Sequence, residues 1–312
     1  MHSIETIKHK NVSWINLVNP TDEMLEDLAR RYKFHHLDVE DIMSENQRSK
    51  IDEYPRYLFM VLHLPIIDKK YKHVDIEEVD IFISQNYVIT IHEGKSEVFK
   101  EYFEKCKESL KVKKELMGKG TGYLLYEMLD RAFDNVFPMV DQLELGVQGI
   151  EKELFALKQE NQRDKLKDVL LLKKDIITLR RAIAPQRQVI AQLEHKHTRF
   201  LPANLEIYFD NVVDKIEKIW ANLENLKELV VSVQEINESI ISHNTNNIIK
   251  ILTMFSVIMM PMTVITGAYG MNLNLPFGQQ AGGHQWTFLL ILMFMMCIAG
   301  GMLLFFKKKN WL

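Results

Sequence analysis

Two charge-free apolar runs close to the C-terminus, Ile251–Tyr269 and Trp286–Phe306, restrict this chain more than any other feature. They hold 19 and 21 residues, and an α-helix needs about 20 to cross roughly 30 Å of hydrocarbon. Either run alone fits a buried core helix. Two in succession, flanked by Trp286 and Trp311, predict a membrane hairpin with spans at about 250–269 and 286–306. Lys250 precedes the first run and Lys307, Lys308 and Lys309 follow the second, while residues 273–285 hold no Lys or Arg. Basic residues stay on the cytoplasmic side. The expectation is therefore a multi-pass protein of the cell (inner or plasma) membrane, both termini cytoplasmic, with the loop over 270–285 outside.

The charge of the 312 residues lies almost entirely before Lys250. A net charge of −3, with no basic stripe interleaved with aromatics, argues against a nucleic-acid partner. Cys106 and Cys297 fit no metal or disulfide spacing. The polar N-terminus, "MHSIETIKHKNVSW", lacks the apolar core of a signal peptide.

Residues 1–117 read as a mixed α/β domain. "SWINLVNP" alternates like a strand, and "TDEMLEDLARRYKF" follows with Thr21 as an N-cap. Tyr57–Ile66, Val79–Ser84 and Tyr87–His92 are β-branched and aromatic runs, the last two forming a hairpin across Gln85-Asn86. One helix is expected over 96–116. Met117–Gly122 follows, "MGKGTG", in which Lys119 precedes Gly120 rather than Ser or Thr; it reads as a linker, not a phosphate loop.

A helical stalk is expected over 118–247, broken at Pro138 and Pro185. Within it, Leu205, Phe209, Val212, Ile216, Ile219, Leu223, Leu226, Val230 and Val233 recur in steps of four and three. That is the seam of a helix packed lengthwise on others. Ala203 to Met260 contains neither Gly nor Pro and the pattern passes straight into the first span, so one helix from Ala203 to Tyr269, roughly 100 Å long at 1.5 Å per residue, is predicted to enter the membrane domain at 248–312.

Two spans cannot enclose a polar path alone, so any pore must be shared between copies around an axis. Walking back from Gly267, five residues before Asn272, in steps of three or four gives Thr263, Met260, Ser256 and Thr253, with Asn246 two such steps further. Small, hydroxylated and flexible residues dominate this stripe. Ser and Thr bonded to their own helix carbonyls give the same pattern, and both readings stand. Mg²⁺ holds its water tightly, so carbonyl oxygens of Gly270, Met271 and Asn272 suit the hydrated ion. Gly270 lets the backbone approach closely.

Tyr269-Gly270-Met271-Asn272 between two C-terminal spans, after Met260-Pro261-Met262-Thr263 and Thr245-Asn246 and before "FFKKKNWL", resembles the CorA metal-ion transporters. Fainter similarity lies in "YLLYEMLDRAFDNVFPMVDQL", "LRRAIAPQRQVI" and "YVITIHEG". The resemblance implies an α+β cytosolic domain, a long helical stalk and two C-terminal spans, assembled as a funnel-shaped homopentamer in lipid. It implies a divalent-cation channel or transporter without a cofactor, with Mg²⁺ as substrate and regulator and Co²⁺ and Ni²⁺ as lesser substrates. Tyr269–Asn272 would form the outer filter. Asn246, Met260 and Thr263 match pore positions, Ile249 and Leu252 an apolar constriction, and Lys250 with Lys307–Lys309 a basic collar. Gating by cytosolic divalent ions would involve stalk acids, here Asp210, Asp214 and Glu235. The usual sensor aspartate is replaced by Asn211, and the loop "LNLPFGQQAGGHQ" carries no acid, only His284.

Two alternatives remain: a Zn²⁺ transporter of the same superfamily, and a two-span signalling or scaffold protein. An enzyme is disfavoured, because His35-His36 and His195-Lys196-His197 lack companion ligands at metal-site spacing and no nucleophile–base set stands out.

Overall fold

A computed structural model describes residues 3–44, 47–68, 73–156, 162–194, 200–271, 284–309 and 311. The chain divides into two compact units, Met1–Gln234 and Glu235–Leu312. In the first, strands β1 (Ser3–His9), β2 (Val12–Val18), β3 (Lys50–Glu53), β4 (Leu58–Ile67), β5 (Val74–Ile83) and β6 (Tyr87–His92) form one sheet, ordered β1-β2-β6-β5-β4-β3. Only β2 and β6 pair in parallel. The expected hairpin is β5–β6, closed by Ser84 N–H donating to Tyr87 O at 2.9 Å.

Each face of the sheet has its own core. Helices α1 (Asp22–Tyr32) and α2 (His36–Met43) cover one, where Leu25 and Leu28 bury against Ile15, Leu17, Phe59, Val61, Phe82 and Ile91. Thr21 caps α1 as expected, its hydroxyl accepting from Met24 N–H at 3.4 Å. The other face is covered by α3 (Glu97–Glu108), α4 (Leu110–Met117), α5 (Thr121–Asp134), α6 (Phe137–Ala156) and α7 (Gln162–Glu194).

The single helix expected over 96–116 is two. Ser109 is extended (φ −111°, ψ 114°), ends α3 and caps α4 through its side chain. A hydroxyl that satisfies a free helix N–H favours a boundary there. Gly118 and Gly120 then join α4 to α5, and Gly120 sits at φ 103°, a conformation that glycine adopts without a Cβ penalty. Pro138 falls in the first turn of α6, where a missing N–H costs nothing. Pro185, expected to break the helix, lies inside α7. Its cost is about 3 kcal/mol, whereas burying Ala182, Ile183, Val189 and Ile190 around it returns about 1.5–3 kcal/mol for each larger side chain.

After a 3₁₀ turn at Ala203–Leu205, α8 runs from Glu206 to Tyr269, 64 residues or about 96 Å. All nine seam residues from Leu205 to Val233 are buried. The second unit contains the rest of α8, with Pro261 inside it, and α9 (His284–Lys308).

Candidate pore lining and regulatory acids

Within the second unit, α8 has two unlike faces. Met254 is buried, and Ile258, Met262 and Ile265 are half-buried at helical spacing. The predicted stripe lies elsewhere: Asn246, Ile249, Leu252, Thr253, Ser256, Met260, Thr263 and Gly267 are all exposed, Met260 at 71%. Thr253 donates to Ile249 O at 2.8 Å, Ser256 to Leu252 O at 2.9 Å and Thr263 to Met259 O at 3.0 Å. Each hydroxyl thus spends its one proton on its own helix and keeps lone pairs for an outside donor such as a water of hydration. Pro261 has no N–H, so the Val257 carbonyl one turn earlier receives no bond from it.

At its end, α8 tightens. Gly270 N–H donates to Thr266 O at 2.9 Å and Met271 N–H to Ala268 O at 3.4 Å. A Cβ at Gly270 would come within 3.1 Å of Thr266 O, a tight approach. Tyr269, Gly270 and Met271 are exposed. Asn272 and residues 273–283 lie outside the described residues, as do His195–His197. At the other end of α9, Lys307, Lys308 and Lys309 are exposed, and the Trp311 ring stacks on Phe306 at 5.7 Å. Lys250 is half-buried.

Of the acids expected to regulate, Asp210, Asp214 and Glu235 are exposed on α8. Asn211 is engaged otherwise: its amide donates to Asp130 Oδ1 on α5 at 3.0 Å. Lys215, one turn on, bridges Asp130 Oδ1 and Asp134 Oδ1, each at 2.6 Å. Burial disfavours the ammonium, but the bonds to both aspartates outweigh it and raise its pKa. An internal cation therefore neutralises this carboxylate pair. Nothing in local spacing announces it, since the partners lie about eighty residues apart in sequence.

A second acidic group was also illegible in the sequence. Carboxylate oxygens of Asp38 and Asp41 on α2 and Asp52 on β3 lie within 4.8 Å of one another. Lys50 Nζ sits between Asp41, at 2.5 Å, and Asp52, at 2.8 Å. Asp38 is fully buried and accepts from Tyr54 Oη at 2.7 Å and Tyr57 Oη at 2.6 Å. Burial raises its pKa despite the two phenol donors.

Beside the α/β domain, two helices, the one that ends α8 and α9, are long and apolar enough to cross a membrane. The family described as CorA-like Mg²⁺ transporter protein matches residues 9–308, and the chain belongs to it. It is 27% identical over 302 residues to the cobalt/magnesium transport protein CorA of Thermotoga maritima, covering 96% of this chain and 83% of that one. It is 29% identical over 277 residues to the putative metal ion transporter YfjQ of Bacillus subtilis, covering 87% and 82%. The complete structure of the CorA magnesium transporter from Methanocaldococcus jannaschii superposes with a TM-score of 0.81 at 22% identity, covering 98% of this chain and 94% of that one. That likeness establishes the fold: α+β domain, long helix, two apolar C-terminal helices.

Proposed function

We propose that the chain moves hydrated Mg²⁺, and Co²⁺ and Ni²⁺ less readily, through an axial pore shared by identical copies, five by family resemblance. The observation that carries this is the exposed stripe on α8. A single chain leaves Asn246, Thr253, Ser256 and Thr263 uncovered beside Ile249, Leu252 and Met260, and rotational symmetry would turn the stripe inward. Hydroxyl and amide oxygens without charge hold a hydrated dication weakly enough to release it. Gly270, Met271 and Asn272 would form the outer filter with Tyr269 beside it, and Lys250 with Lys307–Lys309 the cytoplasmic collar. A potential of 100 mV, negative inside, contributes about 4.6 kcal/mol per dication, enough for inward flow without a nucleotide. The membrane is the cell membrane, with both termini cytoplasmic and residues 118–247 as the stalk.

Regulation by cytosolic dications would use Asp210, Asp214 and Glu235, whose exposure leaves them available to a neighbouring copy. Asp130 takes no direct part, because Lys215 and Asn211 already satisfy it. The acid-free loop after Asn272 favours one second reading, transport of Zn²⁺.

Uptake into proteoliposomes, with Mg²⁺ and Zn²⁺ compared side by side, tests both. Asn272→Ala should lower flux at least tenfold; unchanged flux removes the filter assignment, and faster Zn²⁺ than Mg²⁺ uptake transfers the reading to zinc. Protection from protease by Mg²⁺ should weaken in Asp214→Ala or Glu235→Ala. Full protection in both excludes those acids as the regulatory site.

A further inference from the structure

A cleft between α1 and the outermost strand of the sheet carries two cations that neither the transport path nor the acidic groups use. β1 begins the sheet order and so has one free edge. Ile4, Thr6 and Lys8 alternate along it and point to one face, opposite Leu17, Ile15 and Ser13 of β2. That face is the one under α1, since Ile15 and Leu17 pack with Leu25 and Leu28. The helix leaves the β1 row uncovered: Ile4, Thr6 and Lys8 are exposed. Because α1 follows β2 and runs back along it, its first turn lies toward Ile4 and its last toward Lys8. A cavity of about 200 Å³ lies between strand and helix, with Ile4, Met24 and Leu28 lining one end and Lys8, Ser13, Arg31 and Tyr32 the other.

The polar end is rich in unused donors. Ser13 N–H donates to Asn86 O at 2.8 Å, away from β1. Lys8 and Ser13 are therefore a non-hydrogen-bonded pair with Cα atoms about 4.5 Å apart, and an ammonium and a hydroxyl rise side by side from the cavity floor. Among the described residues Lys8 makes no ion pair. Arg31 places one nitrogen 3.0 Å from Asp27, one turn earlier, and both side chains are exposed. Such a pair is weak in water, and it leaves the other guanidinium N–H groups free. The cavity thus holds two cations against one carboxylate. Its far end is apolar, with Ile4 47% exposed. A lysine on an edge strand also discourages pairing with another chain, but that role requires neither a facing arginine nor an apolar extension.

We infer that this cleft binds a small organic oxyanion, a phosphate or carboxylate joined to an aromatic or short aliphatic group. The oxyanion sits between Lys8 and Arg31 with Ser13 donating to it, and the apolar part lies against Ile4, Met24 and Leu28. A guanidinium matches either headgroup with two parallel hydrogen bonds, and the lysine adds a point charge. Ile4 to Lys8 spans about 13 Å along the strand, room for a headgroup and two fused rings in line. The free edge of β1 leaves the cavity open to entry. Its positive charge disfavours a metal cation, so the cleft is distinct from the sites proposed above for Mg²⁺. It lies wholly in the first unit and does not depend on the transport reading.

The test is isothermal titration calorimetry of the full-length protein in detergent with 2-naphthyl phosphate, against a detergent blank. We expect saturable binding of one molecule per chain, roughly tenfold tighter than inorganic phosphate or 2-naphthol, each of which fills one end alone. A parallel titration with 2-naphthoate separates a carboxylate ligand from a phosphate; the tighter of the two identifies the headgroup, and either result supports the site. Lys8→Gln and Arg31→Gln should each weaken 2-naphthyl phosphate about tenfold, the effect of losing one charge-assisted hydrogen bond. Ile4→Ser should weaken the naphthyl ester and leave inorganic phosphate unchanged. Asp27→Asn should strengthen binding, because it removes a like charge and frees Arg31. Lys107 pairs with Glu5 on the opposite face of β1, and Lys107→Gln should change nothing. All these side chains are exposed, so the variants keep their fold, which an unaltered far-ultraviolet spectrum verifies. Absence of saturable heat, wild-type affinity in either Lys8→Gln or Arg31→Gln, or 2-naphthol binding as tightly as its phosphate overturns the assignment and leaves Lys8 as a solvated guard of the sheet edge. Loss of Mg²⁺ flux in Asn272→Ala has no bearing on these outcomes, so the two readings fail separately.

Discussion

Replacing Lys215 by Met removes the ammonium that joins α8 to α5 while keeping most of the aliphatic stem. Both Nζ···Oδ1 distances are 2.6 Å, and the side chains of Lys215 and Asp130 are 21% and 17% exposed. Breaking a fully buried pair costs about 3–5 kcal/mol because a lone charge stays buried, whereas an exposed pair is worth about 0–1 kcal/mol. This pair lies between those limits, nearer the first, so we expect a loss of about 2–3 kcal/mol. Asp134, 54% exposed, adds under about 0.5 kcal/mol after solvent screening. In an Asp130→Asn background no carboxylate is stranded there, and the cost of Lys215→Met should fall to about 0.5 kcal/mol. Urea unfolding of the full chain, followed through the fluorescence of Trp14 and Trp220, reads the cycle. The bonded Lys215 has a raised pKa, so its contribution is complete at neutral pH and fades only as pH climbs through that raised value, above 10.5. The cost should therefore be equal at about pH 6 and pH 8. A Lys215→Met cost that is the same with and without Asp130, or below about 0.5 kcal/mol in the wild-type background, refutes the reasoning.

Two further perturbations follow from buried positions. Asp80 has a folded pKa well above its ordinary 3.8, so the wild-type chain loses stability as pH rises from 3.8 through the folded value. Asp80→Asn should match wild type near pH 4 and exceed it at pH 8, and a gap that does not change with pH contradicts the burial account. At Gly122 an added Cβ would lie 2.6 Å from Phe200 O and 2.6 Å from Leu205 Cδ1. Gly122→Ala should cost about 1–2 kcal/mol by overpacking despite the better helix propensity of alanine, and a stabilised variant in thermal unfolding would show that the contact yields freely.

Sequence alone determined whatever repeats at short range in this protein. The four-and-three recurrence from Leu205 to Val233 named a buried seam residue by residue, because side chains three and four apart share one helix face regardless of what lies opposite. Charge-free length likewise marked the two apolar helices. Asn272, proposed as a filter residue, and the loop beyond it were read from motif and position, and they fall outside the described residues.

Tertiary structure decided what depends on a partner distant in the chain. Pro185 stays helical because the core around α7 outweighs a local cost that the sequence does display. Ser109 ends one helix and caps another, a choice visible only once both neighbours have docked. Lys215 has no acidic partner in its own segment that the sequence singles out, and only the docking of α5 brings Asp130 and Asp134 to it. His63 and Glu78 are fifteen positions apart, and only the antiparallel register of β4 and β5 sets them opposite one another with Asp80 beside them. Periodicity is a property of one segment, whereas electrostatic pairing belongs to the meeting of two, and the chain topology alone fixes which segments meet.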